Sequence, residues 1–274
     1  MKGKNRPIGV FDSGVGGLTV LKKIAEVLPN ENYIYFGDTA RIPYGEKTKE
    51  QLTEFVREIL NWYRLKNSKM VLMACNTSSA VVLDIVKNEY DFPILGLIQP
   101  TAKKIAKLEA KKVAIIATSA TFKSKAYSKA ILELNKDKEI FEIACPGLVE
   151  IVEKDLVNSE EGKNLVKKYI LPVLENQAEK IVLGCTHYPY LTDIINEITN
   201  NSGMLINPAD FLAEEARQEL INFDLINNSS AGLIKYFVSA NPDKFVEVGK
   251  KFYANCVYAE VVCLNKPDKT LNFR

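Results

Sequence analysis

The chain contains 274 residues, of which 47% are hydrophobic, and this is enough for one large α/β domain or two smaller ones. Its 36 Lys and Arg residues against 34 Asp and Glu residues leave a formal charge of +2, which argues against a nucleic-acid or membrane-surface partner. Apolar runs such as 81–83 and 113–117 are much shorter than the ~20 residues of a membrane-spanning helix, and the first strand begins too early for a secretory leader. We therefore expect a cytoplasmic protein.

Short apolar runs alternate with longer segments of helical periodicity, which is typical of a parallel sheet whose strands are joined by helices. The predicted strands are 8–11, 33–36, 70–74, 94–97, 113–117, 140–144, 181–184 and 204–206. The clearest helix covers 48–66, where apolar residues recur at i, i+3 and i+4 from Leu52 to Tyr63. Pro172 lies in a helical stretch that it should kink or end. The fold class is predicted to be α/β.

The two halves of the chain resemble each other. The run 8–13 is similar to 113–118, and 71–77 is similar to 181–187, in the same order and at nearly the same separation. In the second match a cysteine recurs together with the apolar run, as Cys75 and Cys185. We expect two similar, pseudo-symmetric α/β domains with mainly parallel sheets and an active site in the crevice between them.

Five cysteines are scattered without any C-x-x-C pair, and His187 is the one histidine, so the usual zinc spacings cannot be assembled and no metal is predicted. An odd number of cysteines in a cytoplasmic chain also argues against a disulfide framework. Cys145, Cys256 and Cys263 are interpreted as buried core residues.

Cys75 and Cys185 each follow a predicted strand and precede a helix start. This is the position at which open α/β sheets bind ligands, and a helix N-terminus stabilises a thiolate there. Both belong to polar triplets, 75–77 and 185–187, which suit a small ligand better than an apolar core. His187, two residues after Cys185, can exchange a proton with that thiol.

A glycine-rich turn follows the first strand at 12–18, which raises the possibility of a dinucleotide site. The G-x-G-x-x-G fingerprint beginning at Gly14 fails, however, because position 19 is Thr19, and Asp12 would lie beside the pyrophosphate. The turn is interpreted as a source of backbone N–H donors for a carboxylate, with Asp12 and Ser13 facing the same crevice.

Two matched thiols suggest acid–base chemistry on opposite faces of one carbon, in which one thiolate removes a proton and the other thiol supplies one. A cysteine hydrolase or transferase with His187 as base is a competing interpretation, but it leaves the second cysteine unexplained. Two further interpretations are a nicotinamide- or phosphate-binding enzyme and a catalytically inactive binding protein for an acidic amino acid.

Six segments of the chain resemble the cofactor-independent aspartate/glutamate racemase superfamily, and within it the glutamate racemases. They are 8–18, 37–45, 74–77, 117–121, 145–146 and 184–189, and they follow the family order over nearly the whole chain. The triplet 185–187 resembles the glutamate branch, because the aspartate branch typically has an acidic residue at the position of His187. A racemase of another acidic amino acid such as aspartate is the alternative.

The resemblance implies that Cys75 acts on D-glutamate with help from Asp12, and that Cys185 acts on L-glutamate with help from His187 and Glu153. Glu150 is close enough in sequence to take the place of Glu153 but is interpreted as a surface residue. The substrate contacts implied by the resemblance are Asp12, Ser13, Tyr44, Gly45, Asn76, Thr77, Thr118, Thr121, Thr186 and His187.

Further expectations concern organisation and role. The resemblance implies that no cofactor is needed and that D-glutamate is supplied to peptidoglycan synthesis. It also implies a first domain of 1–98 plus 208–274 and a second of 99–207. A homodimer is expected. Some family members carry an N-terminal extension that binds an activator, whereas seven residues precede the first strand here, so we expect that regulation to be absent.

Overall fold

The computed structural model describes residues 3–229 and 231–264 of the chain. Two parallel sheets with surrounding helices form its framework, which confirms the predicted α/β class. The strands are β1 Ile8–Asp12, β2 Tyr33–Gly37, β3 Met70–Met73, β4 Ile94–Gly96, β5 Lys112–Ala117, β6 Glu139–Ala144, β7 Lys180–Gly184, β8 Leu205–Ile206, β9 Ile234–Val238 and β10 Glu260–Val261. All eight predicted strands are present, and β9 and β10 are additional.

Twelve α-helices occur in the described residues. They are α1 Gly17–Val27, α2 Lys49–Leu65, α3 Asn76–Val81, α4 Leu83–Val86, α5 Ile98–Lys107, α6 Ser119–Ser124, α7 Ala126–Leu134, α8 Leu148–Glu153, α9 Glu160–Glu175, α10 Thr192–Thr199, α11 Pro208–Asn222 and α12 Pro242–Phe252. Short 3₁₀ helices cover Tyr44–Glu46 and Tyr188–Leu191. Within this part of the chain, no helix is both long and apolar enough to cross a bilayer.

The two sheets share one strand order. The first runs β10-β9-β2-β1-β3-β4 and the second β6-β5-β7-β8, so that β2-β1-β3-β4 corresponds to β6-β5-β7-β8. Every strand pairing is parallel. In parallel sheets the carboxyl ends of neighbouring strands lie at one edge, so the residues that follow β1 and β3 are brought together, as are those that follow β5 and β7. The predicted pseudo-symmetry is thus visible in the topology.

The last quarter of the chain returns to the first sheet, because β9 pairs with β2 from Ile234 to Val238. Before that return, α11 packs against both α1 and α5, and its Leu212, Ala213 and Ala216 belong to one continuous apolar core with residues of both sheets. A helix packed on two sheets holds them at a defined spacing. The predicted first domain also includes residues 1–2 and 265–274, which lie outside the described residues.

Two local expectations met different outcomes. The predicted helix at 48–66 is α2, which begins with a capping box in which Thr48 and Gln51 exchange side-chain to backbone hydrogen bonds. Pro172 does not end its helix, since α9 runs on to Glu175. A proline in the last turn removes only one backbone hydrogen bond, and the Pro172 carbonyl accepts bonds from the backbone and side-chain amides of Asn176.

The prediction that Cys263 is buried is wrong, because its side chain is exposed, while Cys145 and Cys256 are buried as expected. Cys263 lies just beyond the edge strand β10, where alternate residues face opposite sides. Val262 takes the inward position there and Cys263 points outward. The apolar character of cysteine does not determine its burial at such a position.

Candidate active site

Cys75 lies where the first sheet meets its helices. It follows β3 at the N-cap of α3, and its residue is only 5% exposed. Burial, together with the nearby Asp12 carboxyl group, raises the pKa of the Cys75 thiol to about 12. The thiol is therefore protonated at neutral pH, and a base must remove its proton before the sulfur can act as a nucleophile or base.

Asp12 is the last residue of β1 and is buried beside Cys75. Its Oδ2 accepts a hydrogen bond of 2.7 Å from the backbone amide of Gly17, at the start of α1. The hydroxyl of Thr186, from the second sheet, lies 3.5 Å from the same oxygen. Burial nevertheless raises the pKa of Asp12 above its ordinary value, although the positive charge of His187 acts in the opposite direction. This carboxylate is consequently a better proton acceptor than a solvated one.

Cys185, His187 and Glu153 form a connected unit in the second sheet. Cys185 follows β7, and its Sγ lies 3.8 Å from Nδ1 of His187. Nε2 of the same ring lies 3.0 Å from Oε1 of Glu153, at the end of α8. Glu150, one turn earlier, is exposed and makes no such contact. The structure therefore places Glu153 and not Glu150 against the histidine.

The charge state of His187 results from opposing effects. Burial lowers the pKa of the imidazole, but hydrogen bonds with Cys185 and Glu153 outweigh it and raise the pKa to about 10. The His187 hydrogen bond correspondingly lowers the pKa of Glu153. At neutral pH the ring is an imidazolium whose two N–H groups point at the thiol sulfur and the carboxylate.

Hydroxyl and amide groups from both sheets meet between the two cysteines. The hydroxyl of Thr77 lies 3.1 Å from that of Thr118 and 3.4 Å from that of Thr121, and Thr118 donates to Thr121 at 3.1 Å. Asn76 accepts a hydrogen bond of 2.6 Å from Tyr127. These groups offer hydrogen-bond donors and acceptors without carrying charge.

The 3₁₀ helix Tyr44–Glu46 forms another side of the site. The Tyr44 hydroxyl donates to Oδ2 of the fully buried Asp38 at 2.5 Å, and the Arg41 guanidinium donates to the same oxygen at 2.7 Å. Arg41 also pairs with Glu58 at 2.5 Å. The segment that carries Tyr44 and Gly45 is thereby anchored to the end of β2.

A cavity of about 310 Å³ connects these elements, which is large enough for a small amino acid. It is lined by Cys75, Cys185, Asp12, His187 and Glu153, and by all of the predicted substrate contacts except Thr121. Thr121 lies behind the wall, where its hydroxyl supports Thr77 and Thr118. None of the lining residues is Lys or Arg. Apart from His187, the hydrogen-bond donors of the lining are therefore neutral.

Several lining residues were not predicted from the sequence. Cys145, interpreted as a core residue, is buried but contributes to the cavity wall, where burial raises the pKa of its thiol to about 12. Glu46, Ser119, Val149 and Glu150 also line the cavity. Cys145 and Ser119 lie within the six family-like segments, and this was the signal in the sequence that could have identified them as lining residues. In the described part of the chain, no cluster of three or more His, Cys, Asp or Glu side chains is arranged to hold a metal ion.

Fold and cavity together define a two-domain α/β protein with a thiol-bearing ligand site at the carboxyl ends of its strands. A family model described as Asp/Glu/Hydantoin racemase matches residues 8–216, and the chain belongs to this family. It is accordingly a racemase, an enzyme of the isomerase class.

Individual relatives agree with this assignment. A glutamate racemase from Picosynechococcus sp. is 40% identical over 261 residues, which are 95% of this chain and 93% of that protein. The crystal structure of glutamate racemase isoform RacE1 from Bacillus anthracis is 30% identical, with a TM-score of 0.91 over 95% of this chain and 98% of that one. A Francisella tularensis glutamate racemase in complex with D-glutamate is 33% identical, with a TM-score of 0.88 and coverage of 96% and 99%.

Proposed function

We propose that this protein is a glutamate racemase that interconverts L- and D-glutamate by proton transfer between the α-carbon and two cysteines. The similarity to glutamate racemases, one of them in complex with D-glutamate, supports the substrate. The observation that carries the mechanism is the placement of Cys75 and Cys185. They follow the corresponding strands β3 and β7 of the two matching sheets and line one cavity.

The two cysteines have different parts in the reaction that starts from L-glutamate. Cys185, next to His187, acts as the base that removes the α-proton. Cys75, whose pKa is raised to about 12 by burial and the Asp12 carboxyl group, donates a proton to the opposite face. The α-carbon then has the inverted configuration.

The reaction that starts from D-glutamate uses the same groups in reverse. Cys75 must first lose its proton, and Asp12 is the buried carboxylate placed to accept it, since burial raises the pKa of Asp12. His187 gives the proton on Nδ1 to Cys185, which passes a proton to the opposite face of the α-carbon, while the His187 ring stays hydrogen-bonded to Glu153. Each cysteine thus has its own helper, as the family resemblance implies.

Substrate binding is assigned to neutral donors. We infer that the two carboxylates of glutamate are held by backbone amides, including those of Tyr44 and Gly45, and by the side chains of Ser13, Asn76, Thr77, Thr118 and Thr186. Thr121 supports Thr77 and Thr118 from behind the wall, and His187 is the remaining predicted contact. Asp12 supplies a negative charge for the substrate ammonium group. The carbanion-like transition state is stabilised by oriented dipoles in a site with little water, so the proposed mechanism needs no cofactor.

Two broader inferences accompany this function. The product D-glutamate is assigned to peptidoglycan synthesis, following the family resemblance. We also propose that the chain is divided into a first domain of 1–98 plus 208–274 and a second of 99–207. The pairing of β9 with β2 supports the return of the C-terminal segment to the first domain.

The proposal is tested by circular dichroism of the purified protein with L-glutamate, and separately with L-aspartate, after dialysis against a chelator. We expect the L-glutamate signal to decay to zero, with little change for L-aspartate. Cys75→Ser and Cys185→Ser should each abolish the decay, because serine is far too weak an acid to replace a thiol. Cys256→Ser is the matched control, since this buried thiol does not line the cavity. An active Cys75→Ser or Cys185→Ser variant would refute the mechanism.

The same reaction in deuterated water distinguishes a mechanism with two bases from a mechanism with a single base. With two cysteines, the proton given to the product comes from a thiol that exchanged with solvent while the site was empty. Early D-glutamate should therefore carry deuterium at the α-carbon, while the remaining L-glutamate stays protiated. Mass spectrometry of the separated enantiomers at low conversion measures both. Substantial protium in the first product would indicate a single shared base.

A further inference from the structure

The phenol of Tyr127 reaches across the molecule to the residue that follows Cys75. Tyr127 lies in the first turn of α7, beside the second sheet, and is 1% exposed. Its hydroxyl donates a hydrogen bond of 2.6 Å to Oδ1 of Asn76, at the start of α3 in the first sheet. Asn76 lines the cavity, whereas Tyr127 does not. The contact therefore comes from behind the cavity wall.

A break between two helices puts Tyr127 in this position. Helix α6 ends at Ser124, Lys125 has left-handed backbone angles with φ of 56°, and α7 begins at Ala126. The break is held by local contacts, because Ser124 Oγ accepts a bond from the Ala126 amide and Lys125 Nζ lies 3.4 Å from Glu142. A non-glycine residue with positive φ is uncommon and is maintained by its surroundings. After the break, Tyr127 is buried while both its neighbours remain partly exposed.

In the structure the phenol is the donor and Oδ1 of Asn76 is the acceptor. Burial raises the pKa of Tyr127 far above its ordinary value, so the hydroxyl keeps the proton that it donates. The group of Asn76 that is left for a ligand is its NH₂, which can only donate.

We propose that Tyr127 is a positioning residue, which fixes the Asn76 amide so that it presents its NH₂ group to a carboxylate of the substrate. Carboxylates only accept hydrogen bonds, and no Lys or Arg lines the cavity, so the orientation of each neutral donor matters for affinity. An amide free to rotate could present Oδ1 to the same carboxylate and repel it. This inference rests on the proposed glutamate racemase function.

The test is the Tyr127→Phe variant, which keeps the ring and removes the hydroxyl. An amide that holds a carboxylate equally well before and during the reaction contributes uniform binding, so its loss of orientation should raise KM and leave kcat nearly unchanged. From the usual strength of one hydrogen bond, we expect KM to rise roughly three- to tenfold for both enantiomers. Calorimetric titration with D-glutamate should show the same loss of affinity.

A double-mutant comparison separates positioning from a purely structural role. In an Asn76→Ala background, adding Tyr127→Phe should change the D-glutamate affinity less than twofold, because no amide remains to be oriented. Tyr33→Phe is the matched control. Tyr33 is 2% exposed and donates a 2.8 Å hydrogen bond to the Leu28 carbonyl, away from the cavity, so its loss should leave KM unchanged.

The outcomes distinguish this inference from the proposed function. If the wild-type protein does not racemise glutamate, the proposed function fails. If it does and Tyr127→Phe leaves KM and affinity unchanged, lowers kcat alone, or weakens binding equally in the Asn76→Ala background, the positioning role is overturned.

Discussion

At the scale of single residues, the most consequential arrangement is the one around the only histidine of the chain. An isolated histidine near pH 7 is largely neutral, whereas His187 lies between a thiol and a carboxylate that both favour its charged form. Phe252, the last residue of α12, packs edge-on against its ring with 5.7 Å between centroids. The ring is thus charged by its partners and held in place by an aromatic neighbour.

This charge predicts how stability depends on pH. Since the pKa of His187 rises from about 6.5 in the unfolded chain to about 10 in the folded protein, its contribution to stability is fully present below the first value and is lost as the pH rises through the second. Between about pH 7 and 8.5 the folded state holds roughly one extra proton, so the free energy of unfolding should fall by about 1 kcal/mol per pH unit.

Urea unfolding of the wild type and of His187→Asn over this range measures the effect. The variant should show a clearly flatter dependence, because the chain has no other histidine. Glu153→Gln, which removes one of the two partners, should give an intermediate slope. Parallel slopes for wild type and His187→Asn would show that the imidazole is not protonated in the folded protein.

At the scale of secondary-structure elements, the glycine-rich turn between β1 and α1 is shaped by close approach. A Cβ at Gly16 would lie 2.4 Å from Oγ1 of Thr186 and 2.5 Å from Nδ1 of His187, which belong to the second sheet. A Cβ at Gly17 would lie 2.4 Å from Cβ of Asp12. The Tyr35 hydroxyl holds the turn from behind through a 2.7 Å bond to the Gly14 carbonyl. Gly16 therefore lets the turn approach Thr186 and His187 of the second sheet, and Gly17 lets it pack against Asp12 of the first.

Gly16→Ala adds only one methyl group, but it is expected to disturb the site strongly because that group has no free space. The new carbon must displace Thr186 and His187 or the turn itself, and such overpacking costs about 1–3 kcal/mol. We expect a large fall in kcat/KM together with a lower urea midpoint.

Gly203→Ala is the control for this substitution, because a Cβ there comes no nearer than 3.3 Å to Oδ1 of Asn201, on an exposed turn. It should leave both activity and stability close to wild type. Normal racemisation by Gly16→Ala would show that the two walls of the site can separate freely.

At the scale of the whole molecule, a buried ion pair holds together segments that are distant in sequence. Lys69 and Glu31 are almost completely inaccessible, and Lys69 Nζ also donates to the Lys4 and Leu225 carbonyls, at 2.6 and 2.8 Å. Glu31 in turn accepts a 2.7 Å bond from the Asn227 amide. Because Lys69 precedes β3 and Cys75 follows it, this cluster lies at the end of the sheet away from the cavity.

Breaking this pair should destabilise the protein without changing its chemistry. Burial raises the pKa of Glu31 and lowers that of Lys69, so each charge depends on its partner. Lys69→Met leaves Glu31 buried and unpaired, at an expected cost of about 3–5 kcal/mol. The racemase activity of the folded fraction should remain near wild type.

Adding Glu31→Gln to Lys69→Met removes the unpaired charge and should restore part of the lost stability. Urea unfolding of the single and double variants provides the comparison. A double variant less stable than Lys69→Met alone would show that Glu31 is stabilised by its remaining neighbours and not by the lysine.

The α/β class, the first eight strands and the matching positions of Cys75 and Cys185 in the two halves could be predicted from the sequence. These features are local or periodic, because apolar runs, helical spacing and a residue type at a strand end can all be recognised within a few positions. The family-like segments added the candidate helpers and substrate contacts, most of which line the cavity. Strands β9 and β10 were not predicted, since β9 gains its place from pairing with β2, about 200 residues earlier in the chain.

Which of these groups are in contact depends on how the elements pack together. Glu150 and Glu153 lie one helical turn apart with the same chemistry, and only the packing of α8 against the segment after β7 brings Glu153 to His187. Contacts between segments that are distant in sequence likewise place Cys145 in the cavity wall, leave Cys263 exposed and bring the Tyr127 hydroxyl to Asn76. Such contacts are determined by how the two sheets are held together, and that spacing has no signature in any short stretch of sequence.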